Sequence, residues 1–171
     1  MRYRYQTFKY NICTKGDTTV KYYLAAPVVI DPQTKLLINH VYEALCIAKG
    51  KENIYRPGLH KVPNEWGITM EMWGQCVFTM DVVAIDQAEW IVLCNFGRNG
   101  LTTGTAWECG YAFAKGKKIL VIDMPGVKES SLMVTGCASN RVDYLTFIDK
   151  TFSVDSAFVE RGKLPAKQTL N

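Results

Sequence analysis

The sequence has only two histidines, His40 and His60, and neither lies near a cluster of carboxylates. An imidazole-built metal centre is therefore not expected, and no cofactor is called for. Cysteine is scattered as well: Cys13, Cys46, Cys76, Cys94, Cys109 and Cys137 include no C-x-x-C pair. That spacing excludes a zinc ribbon and a thioredoxin-like motif. Cys94 lies in an apolar run and Cys46 on a helix-like stretch, so the thiols read as free and buried. Free thiols point to reducing, cytoplasmic surroundings. No apolar run approaches the length of a membrane span. Met1–Tyr10 lacks the apolar centre of a signal peptide. The reading is a soluble intracellular protein without membrane contact.

Charge of one sign is also missing. The formal net charge is +4. This mild excess suits an anionic small ligand, but a nucleic-acid surface needs a clustered basic patch. The most basic stretch, Arg2 to Lys9, alternates with Tyr3, Tyr5 and Phe8, as a solvated strand face does. Nucleic acid is accordingly not an expected partner. What is present is ordinary globular composition, 48% hydrophobic and 21% charged over 171 residues. That length favours one domain, 1–171, with a core large enough to need no staple. There are no internal repeats and no low-complexity segment.

Patterning divides the chain into elements. Arg2–Cys13 alternates as a half-buried strand, Thr14–Asp17 reads as a turn, and Val20–Ala25 as a second strand. The two strands suggest a hairpin, with 1–19 as an N-terminal strand extension. From Val20 the pattern is βαβα. A helix is expected over Thr34–Lys49, a short strand over Asn53–Tyr55, and a loop to Asn64 marked by Pro57, Gly58 and Pro63. Glu65–Gln87 has Met70, Trp73, Val77, Met80 and Ala84 at helical spacing. Trp90–Cys94 and Lys118–Ile122 are apolar throughout, as buried parallel strands are. Between them lie a glycine-rich loop, Asn95–Leu101, and a helix, Thr103–Lys115, stopped by Gly116. A C-terminal helix and tail are expected over 150–171.

This alternation predicts an α/β fold: a flavodoxin-like, Rossmann-like doubly wound parallel sheet of about five strands with helices on both faces. Ligands of such sheets sit beyond the carboxyl ends of the strands. The rule points to Ala25–Gln33, Asn95–Glu108 and Asp123–Met133. In the second of these, Thr102 or Thr103 can cap the following helix. Glu108 then falls in its early turns, where the helix dipole favours a carboxylate. Ala106, Gly110 and Ala114 make a small-residue stripe, expected to let the helix lie close to the sheet. On spacing alone, a glutamate in that place is more often a solvated residue that complements the dipole.

Four segments in register change the weighing. Tyr23-Leu24-Ala25-Ala26-Pro27, Asp81-Val82-Val83-Ala84-Ile85, Gly104-Thr105-Ala106-Trp107-Glu108-Cys109-Gly110-Tyr111-Ala112 and Ser131-Leu132-Met133 occur in this order. Together they resemble the nucleoside 2-deoxyribosyltransferase superfamily, over roughly Tyr22 to Val142. The resemblance implies that Glu108 attacks the anomeric carbon, that Tyr23 holds Glu108, and that Asp81 protonates the departing base. Two neighbouring carboxylates push their pKa values apart, which lets one be acid and the other nucleophile. The chemistry parallels retaining glycosidases.

Two departures place the chain nearer to the nucleoside 5′-monophosphate N-glycosidases of the superfamily, those acting on hydroxymethyl-CMP among them. Thr102 stands where the transferases carry an Asp, six residues before the nucleophile. Ser131 stands where they carry an Asn, in a segment reached from a neighbouring subunit. A carboxylate beside the 5′ oxygen repels a phosphate, whereas a hydroxyl donates to it. The helix start at Thr103, Gly104 and Thr105 adds attraction for an anion. Met133 is read as restricting the 2′ position, and Ala25 and Pro27 as lining the site from the first strand. Val28 and Val29 stand where an aromatic and an arginine would be expected, which leaves the base open. The expected function is cleavage of the N-glycosidic bond of a nucleoside 5′-monophosphate by a homo-oligomer with shared sites. Base exchange between deoxynucleosides and a non-catalytic nucleotide sensor are the alternatives.

Overall fold

The computed structural model describes residues 20–28, 31–62, 67–98, 100 and 102–159. The expected N-terminal hairpin, Trp66 and the tail beyond residue 159 lie outside the described residues. Five parallel strands form one sheet in the order β2-β1-β3-β4-β5. They are β1 (Tyr22–Ala25), β2 (Ile54–Tyr55), β3 (Trp90–Asn95), β4 (Lys118–Asp123) and β5 (Asn140–Asp143). The helices are α1 (Pro32–Lys49), α2 (Met70–Gln87), α3 (Thr103–Ala114), α4 (Leu132–Cys137), α5 (Tyr144–Ile148) and α6 (Val154–Ala157). This is the doubly wound α/β architecture, with a topological switch between β1 and β3.

Strand alternation assigns each side chain to one of two cores. Leu24, Val92, Cys94, Leu120 and Ile122 pack with Ile38, Val41 and Leu45 of α1 and with Tyr144 and Phe147 of α5. Tyr23, Ala25, Ile91, Leu93, Ile119 and Val121 face the other way, against Ala84 and Ile85 of α2, Cys109 and Ala112 of α3, and Val134 of α4. The central strand β3 is buried along its whole length. Such two-sided burial explains why Trp90–Asn95 has no polar–apolar alternation.

Several element limits differ from the sequence reading. α1 begins at Pro32 rather than Thr34, because Asp31 caps it by accepting from the Thr34 amide at 2.7 Å. Proline is pre-set for this first helical position. α2 begins at Met70 rather than Glu65, where Thr69 accepts from the Met72 amide. β1 begins at Tyr22, and β2 holds only Ile54 and Tyr55. β3 and β4 each run one residue further than expected, to the paired Asn95 and Asp123. α3 ends at Ala114, with Gly116 beyond it at φ +69°, the left-handed stop that glycine adopts without strain. β5 had no counterpart in the sequence reading: Asn140-Arg141-Val142-Asp143 is too polar to announce itself, as suits an edge strand.

The stripe on α3 is corrected too. Ala106, Gly110 and Ala114 are exposed, whereas Thr105, Cys109 and Ala112 face the sheet. The sheet-facing set is also small, so close packing persists on a face one residue away from the expected one.

Candidate active site

A cavity of about 540 Å³ opens beyond the carboxyl ends of β1 and β2. It sits beside the switch between β1 and β3, where open α/β sheets place their ligands. Its size falls within the usual span of small-molecule sites. Three segments wall it: Ala26 and Val28 after β1, Tyr55 to Val62 after β2, and the start of α3 from Thr102 to Glu108. Trp73, Val77, Met80 and Asp81 of α2 close the remaining side.

Glu108 stands in the second turn of α3, after a cap at Thr102 whose hydroxyl accepts from the Thr105 amide at 3.3 Å. The Tyr23 hydroxyl donates to Glu108 Oε1 at 2.9 Å. Glu108 Oε2 is buried and has no hydrogen-bond partner among the described residues. An orphaned carboxylate oxygen is costly, and groups of this kind cluster at functional sites. Burial is the main cause that pushes the Glu108 pKa up to about 7, the Tyr23 hydrogen bond opposes it, and the nearby Asp81 adds to it. Tyr23 is held well above the ordinary phenol range, chiefly by burial and then by Glu108.

A second dyad mirrors the first. The Tyr55 hydroxyl donates to Asp81 Oδ1 at 2.8 Å. Burial raises the Asp81 pKa, and the Tyr55 bond offsets part of that rise. The parallel register sets Tyr23 beside Tyr55. Their rings stack at 5.5 Å, and His60 stacks on the outer face of Tyr55 at 4.4 Å. His60 stands at the rim, and partial desolvation holds its pKa below the ordinary imidazole value.

The sequence-derived residues divide in three. Tyr23, Asp81 and Glu108 converge on one site, although they stand on three different elements. Thr102 and Gly104 line the cavity. Ala25 and Pro27 are buried and Thr103 is exposed, and none of these is part of the cavity wall. Alternation explains the first: Ala25 points into the core beneath α2 and α3, while its neighbour Ala26 reaches the cavity. Ser131 and Met133 also stand apart from the cavity of their own chain. Met133 is 82% exposed and Leu132 81%.

The third expected ligand segment, Asp123–Met133, is tied down instead of open. The Asn95 amide donates to Asp123 at 2.7 Å and to Ser130 at 2.8 Å. Arg141 donates to the same two side chains, each at 2.9 Å from Nη2. Gly97, at φ +81°, passes so close to the Glu129 carbonyl that a Cβ there would lie 3.0 Å from it.

Tyr55, His60, Lys61 and Val62 were missed by sequence reasoning, whereas Thr105, expected at the anion-attracting helix start, does line the cavity. Tyr55 had a usable signal, since a tyrosine on a strand beside β1 falls next to Tyr23. His60 had none, because its role depends on a ring stack across the loop. Among the described residues no cluster of His, Cys, Asp and Glu could hold a metal ion. None of their helices is long and apolar enough to cross a membrane.

Comparison with known proteins agrees with this fold. The family model of nucleoside 2-deoxyribosyltransferases matches residues 22–140, well over half of the chain. A 2-deoxyribosyltransferase from Bacillus psychrosaccharolyticus superposes with a TM-score of 0.63 at 25% identity, over 78% of this chain and 94% of that one. A conserved protein from Enterococcus faecalis V583 does so at 0.62 and 14% identity, over 77% and 96%. The CMP N-glycosidase of Clostridium botulinum is a looser match, 0.45 at 20% identity, over 72% and 86%. No curated protein matches the sequence significantly.

Proposed function

The chain belongs to the nucleoside 2-deoxyribosyltransferase family, and we propose that it cleaves the N-glycosidic bond of a nucleoside 5′-monophosphate. The observation that carries this reading is Glu108 Oε2, a buried carboxylate oxygen without a partner among the described residues, in a cavity that also holds Asp81. Tyr23 fixes the other oxygen of Glu108 and so aims the free one. In the first step Glu108 Oε2 bonds to the anomeric carbon as the carbon–nitrogen bond breaks. The bonding pair leaves with the base, which takes a proton from Asp81. In the second step water attacks the anomeric carbon and releases Glu108, and the proton of the water returns to Asp81. The product pair is a free base and a sugar phosphate.

The choice of a monophosphate rests on Thr102. Its hydroxyl and that of Thr105 lie 2.8 Å apart, and one donates to the other. The pair therefore retains one further O–H donor. With Gly104 they line the cavity at the start of α3, where an anion is favoured. A carboxylate in place of Thr102 would repel it. Exposed Leu132 and Met133 support a second copy of the chain covering α4 and bringing its Ser131 to the neighbouring site.

Product analysis tests the reading. The protein is incubated with ribo- and deoxyribonucleosides and their 5′-monophosphates, with and without an acceptor base. Free base from monophosphates, lost in Glu108→Ala, is the expected result. Turnover of free nucleosides alone would overturn it. The second reading, base exchange between deoxynucleosides, is favoured by the likeness to the Bacillus psychrosaccharolyticus 2-deoxyribosyltransferase. It predicts new nucleosides appearing only when acceptor base is added.

A further inference from the structure

The second tyrosine has no role in the scheme above, yet it is as firmly placed as the first. Tyr55 is buried, its ring is held between Tyr23 and His60, and its hydroxyl meets Asp81 Oδ1 at 2.8 Å. A ring fixed on both faces cannot swing its hydroxyl away, so the carboxylate it binds is fixed as well. We propose that Tyr55 is the positioning residue of the leaving-group acid, and that the stacked pair Tyr23 and Tyr55 decides which of the two carboxylates holds the proton of the resting site. This rests on the reading of Glu108 as nucleophile and Asp81 as acid.

The chemistry requires one carboxylate ionised and the other protonated: Glu108 must be the anion and Asp81 the acid. Burial works against ionisation of both, and Asp81 further impedes that of Glu108. Each tyrosine O–H stabilises the ionised form of its own partner. Tyr23 therefore favours the working arrangement, whereas Tyr55 opposes it while keeping Asp81 in place and Oδ2 directed at the base. Among the described residues, few groups face this pair. They are Tyr23 from β1, Tyr55 from β2, His60 and Lys61 from the loop after β2, and Cys109 of α3, which is paired with Cys137 of α4. His60 stacks on Tyr55, and its ring is the outer end of the column. The two tyrosine hydroxyls are thus the direct donors to the pair.

The consequence is a pair of variants with opposite signatures. Tyr55→Phe keeps the ring stack and removes the donor to Asp81. The proton then stays on Asp81 to higher pH, and the alkaline limb of kcat/KM moves up by about one pH unit. A neutral Asp81 also relieves Glu108, so the acid limb moves down and the profile broadens. Loss of the fixed orientation lowers kcat by about tenfold. Tyr23→Phe raises the Glu108 pKa further, so its acid limb moves up and the profile narrows. A purely structural role for Tyr55 would lower activity without moving either limb.

The test is the pH dependence of kcat/KM for wild type, Tyr55→Phe and Tyr23→Phe, joined to a carbon-13 carboxyl titration of the intact protein with [13C]aspartate. The Asp81 signal is identified by its loss in Asp81→Asn. An upward shift of that signal in Tyr55→Phe, with opposite movement of the two acid limbs, is the expected result. An unmoved Asp81 titration in folded Tyr55→Phe overturns the proposal. If wild type turns over none of the nucleotides, the functional reading falls, and the titration alone still decides whether Tyr55 governs the proton on Asp81.

Discussion

α1 and α2 are both 18 residues long and lie on opposite faces of one sheet, yet they are used in opposite ways. α1 buries Ile38, Val41 and Leu45, spaced over two turns, against the strands. α2 buries only Ala84 and Ile85, at its C-terminal end. Its earlier turns stand off the sheet, and Trp73, Val77, Met80 and Asp81 face the cavity instead. Apolar residues recur at helical spacing in α2 as well, but much of its apolar face lines the cavity rather than packing against the core. One face of the sheet thus supplies the stability that the other gives up by burying Tyr23, Glu108 and Asp81 around a cavity.

The comparison breaks most clearly by substitution at the centre of each face. Glu108→Ala is expected to lower turnover at least 10³-fold, about 4 kcal/mol, with the fold retained. Steady-state kinetics beside circular dichroism checks this. Leu45→Ala on α1 is expected to cost about 2–5 kcal/mol of stability, since it leaves a cavity in a closed core. The remaining folded protein should keep its kcat. Urea titration with kinetics below the transition measures both. Loss of kcat in Leu45→Ala at full folding would mean that the two faces are coupled.

A third expectation sharpens the contrast through pH. Glu108 is raised from about 4.5 to about 7 in the folded chain, so the folded state holds more protons than the unfolded state between those values. Stability therefore falls as pH rises from about 4.5 to about 7 and is level above, with a drop of about 3 kcal/mol as an upper figure. Glu108→Gln should flatten this slope and be the more stable protein at pH 8. Chemical denaturation at pH 5, 6, 7 and 8 reads it directly. In kcat/KM, the same ionisation predicts a rise with pH through about 7. An equal slope in both proteins would show that Glu108 is not the group that titrates.

The same contrast explains what the sequence made legible. Buried strands Trp90–Asn95 and Lys118–Asp123 announce themselves because both faces are apolar. The parallel order follows from their alternation with helices. β5 stayed hidden because an edge strand of Asn140, Arg141, Val142 and Asp143 has one apolar residue. Glu108, Asp81 and Tyr23 could be assembled only through resemblance, because spacing of 85 residues between Tyr23 and Glu108 carries no geometric signal. The strand that carries Tyr55 was expected, but its place beside Tyr23 is set by strand order and not by local pattern. The small stripe of α3 was misassigned because two adjacent faces of that helix are both built of small residues.

Thr102→Asp tests the part of the active face that faces the ligand. The substitution keeps a capping side chain for α3, so the fold should persist. A carboxylate at the cavity mouth should cut kcat/KM for monophosphates about 10- to 100-fold, through repulsion of roughly 1–3 kcal/mol. Turnover of free nucleosides should be unaffected. Parallel assays with a nucleoside and its monophosphate give the ratio. A ratio that does not move would place the phosphate away from the start of α3.

The smallest effect on stability is expected where α2 leaves the sheet. Trp73 is 39% exposed although it is the bulkiest side chain of that helix, and its indole forms part of the cavity wall. In an α1-like role a tryptophan removed to alanine would cost about 3–5 kcal/mol. Here the side chain packs mainly against a space meant for another molecule, so Trp73→Ala should cost under about 1 kcal/mol. KM should rise several-fold instead, with little change in kcat, because binding surface is lost equally for ground and transition states. Denaturation and kinetics on one preparation separate the two. A large loss of stability would mean that α2 packs as α1 does, and that the cavity is a gap in a core and not a place kept for a ligand.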